Sequence, residues 1–234
     1  MRSIKPTVYV LLLIMLTALL AACAGRPAPD TETYTRDVLE PVPAKAPSGA
    51  RYLVDTARSD IRIIIYPDGR FGHAHVISGA ALRGEVILPR DHHHTWIDLA
   101  IRVDALQVDE PSWRMDESFE SEMSERAITG TRKNMLSEQV LHATQYPEIH
   151  IRSNQATGPL WQPDIQAQIT LAGKTRELTV PVSVHQTGDE LEVTGRLQIN
   201  QSEFGIEPFA ALGGVLRVAD KVLIRFRIYA RRSR

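Results

Sequence analysis

The chain has one cysteine in 234 residues, Cys23. With no second thiol it can form no internal disulfide, so whatever folds here does so by packing and hydrogen bonding alone. An excess of charge of either sign is also missing: 27 basic side chains face 28 acidic ones, for a formal net charge of −1. Nothing in that balance calls for a nucleic acid or a polybasic membrane surface. Long apolar runs are confined to one place near the N-terminus, and the remainder has no segment long enough for a spanning helix. Catalytic signatures are lacking too. There is no Gly-x-Ser-x-Gly elbow, no His-Glu-x-x-His and no glycine-rich phosphate loop.

What is present begins with a leader. Arg2 and Lys5 precede the run TVYVLLLIMLTALL, which has the length of a signal-peptide core. The run ends in Leu20-Ala21-Ala22-Cys23, which resembles the lipobox of bacterial lipoproteins, whose cysteine is acylated and becomes the new N-terminus. Residues 1–22 are therefore expected to be a lipoprotein signal peptide, with Cys23 the lipid attachment point. Ala24, rather than aspartate, follows it. In the familiar sorting pattern that favours an outer-membrane anchor, with the protein on the periplasmic side. Lipid chains contribute about 0.8 kcal/mol per buried methylene, so a multiply acylated terminus holds a soluble domain at a bilayer. Residues 23–50 carry Pro27, Pro29, Pro41, Pro43 and Pro47 and few large apolar side chains. They read as a flexible tether with an r.m.s. span of about 30 Å.

Residues 51–234 suit one domain. Period-2 alternation recurs along them. Ile165, Ala167, Ile169 and Leu171 share one face, opposite Gln166, Gln168 and Thr170. Leu178, Val180, Val182 and Val184 form the next such face, followed by Leu191, Val193, Leu197 and Ile199. Ile97, Leu99, Ile101 and Val103 stand against Asp98, Arg102 and Asp104, while Val222, Ile224, Phe226 and Ile228 close the series. One-sided strands separated by turns at residues 67–69, 172–174 and 187–189 predict an antiparallel sandwich or closed barrel. Between Pro111 and Pro147 the pattern turns helical. Met115, Phe119 and Met123 recur every four residues, and a second piece starts at Ser137 as a candidate N-cap. This insert either caps one end of the barrel or packs on its outside.

LHATQYPEIHIRS, ITLAGKTRELTVPVSV and INQSEFGI are three stretches that resemble the YceI-like family of periplasmic lipocalin-like proteins. LHATQYPEIHIRS (residues 141–153) is similar to that family's helix ending in Tyr-Pro before a strand. ITLAGKTRELTVPVSV (169–184) is similar to its Gly-Lys-Thr hairpin, and INQSEFGI (199–206) to its Ser-Asp-Phe-Gly-Ile box, with Glu203 in place of aspartate. RYLVDTARSDI, from residue 51, fits the family's usual start. The resemblance implies an all-β, antiparallel, lipocalin-like β-barrel with an elongated apolar cavity. It further implies binding of a long-chain lipid or polyisoprenoid without catalysis. A lipoprotein N-terminus departs from the family's simple secretory one.

The candidate ligand-binding residues are Phe71, His73, His75, Phe119 and Arg132. In GRFGHAHVIS (residues 69–78), His73 and His75 share parity with Phe71 and Ile77, so both imidazoles face the cavity if Phe71 and Ile77 do. Phe119 belongs to the helical insert, and Arg132 lies in TGTRKNML (129–136), read as a basic loop at the barrel rim where a cation meets a headgroup. Asp98, Asp104, Asp109 and Glu110 are read as a polar face. His92, His93 and His94 lie between strands, where consecutive residues cannot all bind one ion, so no metal and no cofactor is expected. The alternative reading is a periplasmic metal-binding protein using His73 and His75 with the His92–His94 loop. The expected partners are a lipid or isoprenoid ligand and the membrane, through the acyl anchor. A homodimer stays open.

Overall fold

The computed structural model describes residue 42 and residues 45–233, apart from 70, 120 and 121. Cys23 and the leader lie outside the described residues. The alternating segments become strands, in the order β1 (Ala50–Val54), β2 (Asp60–Pro67), β3 (His75–Ser78), β4 (Leu82–Leu88), β5 (Trp96–Arg102) and β6 (Gln107–Val108). Two helices follow, α1 (Pro111–Asp116) and α2 (Glu125–Leu136). The rest is β7 (Glu148–Ser153), β8 (Ala156–Thr157), β9 (Asp164–Leu171), β10 (Lys174–Thr187), β11 (Glu190–Asn200), β12 (Ala210–Ala211) and β13 (Leu216–Arg232).

Eight of these pair antiparallel in the order β1-β4-β5-β7-β9-β10-β11-β13, and β13 returns to β1 through Tyr52↔Arg232 and Val54↔Ala230. The sheet is thereby an eight-stranded closed barrel, which leaves no free edge along that circuit. Its first half-turn is irregular. The 17-residue β13 pairs with β1 only at its C-terminal end, and further back it pairs with β2, to which β3 and then β6 add a side flap.

Period 2 explains which residues fill the interior. Ile165, Ala167, Ile169 and Leu171 of β9 all line it, as do Val180, Val182 and Val184 of β10 and Val222, Ile224, Phe226 and Ile228 of β13. Their neighbours face outwards, where Arg152 reaches Asp98 at 3.3 Å and Arg83 reaches Glu148 at 2.5 Å. One inward position, Gly195, has no side chain. A Cβ there would lie 2.5 Å from Cζ of Phe226, its cross-strand partner, so the glycine makes room for that ring.

The insert differs from its sequence pattern. The four-residue recurrence of Met115, Phe119 and Met123 does not run along one helix, because α1 ends at Asp116 and Ser118 adopts φ +60°. Ser124, not Ser137, is the N-cap of the main helix, its Oγ accepting from Ala127 N at 3.3 Å. Ser137 sits at the C-terminal end instead, its hydroxyl donating to Asn134 O at 2.7 Å. Helix α2 does cap one end of the barrel, where Met135, Val140 and Leu141 line the interior. Among the described residues no helix is long and apolar enough to cross a membrane.

Candidate functional site

The inward faces enclose a cavity of about 270 Å3 that runs the length of the barrel. At one end its wall is Met135, Leu141 and Ile206, and at the other Leu88, Leu160 and Leu191. Between them the lining is almost entirely aliphatic. Polar side chains enter it at three points: His92 and Thr95 at one end, and Gln201 at the other. Each is already engaged. Thr95 Oγ1 donates to His92 O at 2.6 Å, and Gln201 Nε2 donates to Ala219 O at 2.9 Å. A tube of this kind holds apolar matter and offers little to a polar solute.

The two ends differ in exposure. Where α2 packs, Met135 is 7% exposed and Ile206 4%. At the opposite end, formed by the loops 89–95 and 154–163, Leu160 lines the cavity while 41% exposed, and its neighbour Trp161 is 65% exposed. That end is the mouth. The two loops are tied together across it by His92 Nε2 and His93 Nδ1, which hydrogen-bond to the carbonyls of Gly158 (3.0 Å) and Ala156 (3.1 Å).

The cavity lining contains none of Phe71, His73, His75, Phe119 and Arg132. Strand β3 begins only at His75, after Gly72 with φ +112°, so the alternation does not extend back to His73 and Phe71. Both of those are exposed, Phe71 by 60%. Phe119 lies against Tyr66 in an edge-to-face contact, centroids 6.1 Å apart, and against the Arg114 guanidinium at 5.5 Å. Arg132 is not on a loop but within α2. Its Nη2 and Nε donate to the carbonyls of Asp104 (2.7 Å) and Leu106 (3.2 Å), clamping the helix to the chain before β6. His75 has the inward parity of Ile77, but its imidazole turns to Asp109, with Nδ1 2.6 Å from Oδ2.

Asp109 is the residue that the sequence pattern misplaces. Far from a polar face, it is 1% exposed, at φ +56°. Its Oδ1 accepts from Val76 N (3.0 Å) and from Nη1 of the buried Arg114 (2.8 Å). Burial alone would raise this carboxyl, but the bonds from His75, Val76 N and Arg114 outweigh it and hold Asp109 below its ordinary value. The cluster joins α1 to β3 and has a structural role. Aspartate tolerates the left-handed conformation, and Asp109 precedes by two the proline that starts a helix; that is the one signal the sequence offered. By contrast, Asp98 and Asp104 do face outwards, with Asp104 paired to Arg102 at 2.6 Å.

The two histidine groups lie at opposite ends of the barrel. His75 pairs with Ile65, and Ile65 with Val222; the loop carrying His92 follows Leu88, which pairs through β1 to the region of Arg232. Ten residues of β13 separate these levels, roughly 30 Å at strand rise. One ion cannot bridge His73 and His75 to the His92–His94 loop.

The sequence matches the YceI-like domain over residues 52–230. This chain belongs to the YceI-like family. No curated protein gives a match to it. Among solved structures, it is similar to BcnA of Burkholderia cenocepacia, with 18% identity and a TM-score of 0.57 over 75% of this chain and 98% of that one. A polyisoprenoid binding domain from Saccharophagus degradans, implicated in plant cell wall breakdown, gives 12% identity and a TM-score of 0.55 over 78% of this chain and 98% of that one. The YceI protein of Campylobacter jejuni gives 8% identity and a TM-score of 0.50, covering 68% and 84%. At such identities these likenesses speak for the fold.

Proposed function

We propose that this YceI-like chain is a membrane-anchored lipoprotein that binds a long-chain lipid or polyisoprenoid inside its barrel, facing the periplasm from the outer membrane. The observation that carries the reading is the aliphatic wall continuous from Leu88 and Leu160 at the mouth to Met135 and Ile206 at the capped end. Each methylene moved from water onto such a wall contributes about 0.8 kcal/mol. Association itself costs on the order of 4–15 kcal/mol. A ligand therefore needs on the order of ten buried methylenes or more, which selects long chains over short acyl groups. The likeness to a polyisoprenoid binding domain supports the same class of ligand. A binding role is supported by the wall's chemistry: it is aliphatic, and the three polar side chains that reach it are engaged in hydrogen bonds to backbone carbonyls. The anchor rests on the lipobox-like Leu20-Ala21-Ala22-Cys23, and Cys23→Ala is expected to release the protein from the membrane fraction.

Native mass spectrometry on full-length protein extracted from host membranes in mild detergent tests the cavity. A long-chain adduct near one per chain is expected, and Ala167→Trp, which fills the tube at mid-wall, should lose it while keeping the circular dichroism of the barrel. Protein that stays empty both as extracted and after incubation with long-chain lipids would refute the reading.

A further inference from the structure

The loop at the mouth holds a second constellation, which meets the cavity only through His92. Asp91, His92 and His93 each present one metal-ligating atom, and these three atoms lie within 4.8 Å of one another. Consecutive side chains diverge in an extended chain, but here His92–His94 form a single 3-10 turn. The turn folds the two rings together, with centroids 4.2 Å apart and planes tilted by 35°. Asp91 caps it, Oδ1 accepting from His93 N at 3.1 Å.

The hydrogen bonds of the two imidazoles decide what they can do. A backbone carbonyl only accepts, so the nitrogens facing Gly158 O and Ala156 O, His92 Nε2 and His93 Nδ1, carry the protons. In the neutral rings the lone pairs are then left on His92 Nδ1 and His93 Nε2. A metal-bound histidine has this same arrangement: one nitrogen coordinates, and the other donates to a carbonyl that fixes tautomer and ring orientation. Both carbonyls come from the facing mouth loop, so the outer partners are supplied by backbone that no side-chain substitution removes.

We propose that Asp91, His92 and His93 form a binding site for a divalent transition-metal cation of the zinc–copper class at the mouth of the barrel. Two imidazoles and a carboxylate are a borderline donor set that suits Zn2+ and Cu2+ and disfavours Ca2+ and Mg2+, which take oxygen ligands. Three protein ligands leave coordination positions for water or an outside donor. His94 is not a member. Its side chain is 74% exposed and reaches only to 3.7 Å from Asp91. His73 and His75, at the other end of the barrel, take no part.

The test uses untagged full-length protein in detergent, stripped with chelator and titrated with Zn2+ by calorimetry in a non-coordinating buffer. One Zn2+ per chain is expected. His92→Ala and His93→Ala should each weaken binding at least tenfold, whereas His94→Ala and His73→Ala should leave it within about twofold. The same protein loaded with one Cu2+ should show two coordinated imidazole nitrogens by electron paramagnetic resonance, a readout that needs no variant. Absence of stoichiometric binding, affinity unchanged in both His92→Ala and His93→Ala, loss of binding in His94→Ala, or a Cu2+ spectrum without two nitrogens would each overturn the site. Metal binding that persists in Ala167→Trp separates this proposal from the fate of the lipid reading.

Discussion

Replacing Asp109 by alanine removes one carboxylate that three groups bond. Arg114 is 4% exposed and donates to Asp109 Oδ1 at 2.8 Å and to Ala74 O at 2.8 Å. Val76 N and His75 Nδ1 lose their acceptors as well. Breaking a buried pair from one side costs about 3–5 kcal/mol, because the remaining charge is left in a low-dielectric site. Alanine at φ +56° adds about 1 kcal/mol of backbone strain that aspartate and asparagine largely escape. Asp109→Ala should thus cost about 4–6 kcal/mol, a fall in Tm of about 8–24 °C for a domain of this size. Asp109→Asn keeps the backbone and one acceptor oxygen, and should cost less than half as much. Urea unfolding followed by tryptophan fluorescence measures both. The double variant Asp109→Asn/Arg114→Met should be more stable than the sum of its singles by at least 1 kcal/mol, since it also removes the buried cation that faced the lost carboxylate. A loss below about 1 kcal/mol for Asp109→Ala, or strict additivity in the cycle, would refute the view that this cluster locks α1 to β3.

The same carboxylate predicts an acid limb. Its folded pKa is lowered, so its stabilisation is complete above the unfolded value near 4 and is lost as pH falls through the folded one; Asp109→Asn should flatten the decline in unfolding free energy below about pH 4. Gly195→Val would drive a side chain into the Phe226 ring, and a loss of about 1–3 kcal/mol with reduced uptake of a fluorescent long-chain probe is expected. Arg132→Ala should leave the barrel's strand circular dichroism intact while speeding amide exchange in α2, because it frees that helix from the carbonyls of Asp104 and Leu106. Protection unchanged in α2 would argue against the clamp.

The strands were legible because their signal is local, whereas closure into a barrel rather than a sandwich rested on the resemblance to the YceI-like family. Every alternating set from β9, β11 and β13 points as its own sequence period requires, and a strand with one dry face has no other way to be read. What failed depended on residues distant in sequence or on ambiguous caps. His75 and Asp109 are 34 residues apart, and nothing near His75 in sequence shows that a carboxylate will take it out of the cavity. Ser124 and Ser137 are both plausible caps by residue type. Only packing decides that Ser124 Oγ accepts at the start of α2 while Ser137 Oγ donates at its end. The apolar repeat of Met115, Phe119 and Met123 outweighed the true helix because the inward stripe of α2 is thin, with Met135 buried, Ile128 and Leu136 partly buried, and Thr131 and Arg132 between them.

The places that carry the family resemblance also explain why the site was harder to read than the fold. The Tyr-Pro that ends the 141–147 stretch, the Gly-Lys turn and the Phe-Gly-Ile box meet in space. A Cβ on Gly173, at φ +77°, would lie 2.5 Å from the Tyr146 ring, and one on Gly205 would collide with the Lys174 side chain. Phe204 beside it is 1% exposed. All of this gathers at the capped end, where the β9–β10 turn and the end of β11 come together near α2, and its work is to close the barrel. The mouth is built instead from residues 89–95 and 154–163, outside the Gly-Lys turn and the Phe-Gly-Ile box; there Leu160 and His92 meet solvent and cavity together, with Trp161 exposed beside them and Thr95 buried beneath. A resemblance carried by the closing end goes with an apolar tube, whereas on the proposed function discrimination among entering chains falls to the mouth loops. Exchanging residues 89–95 should therefore alter which ligands or ions this protein accepts while leaving its barrel intact.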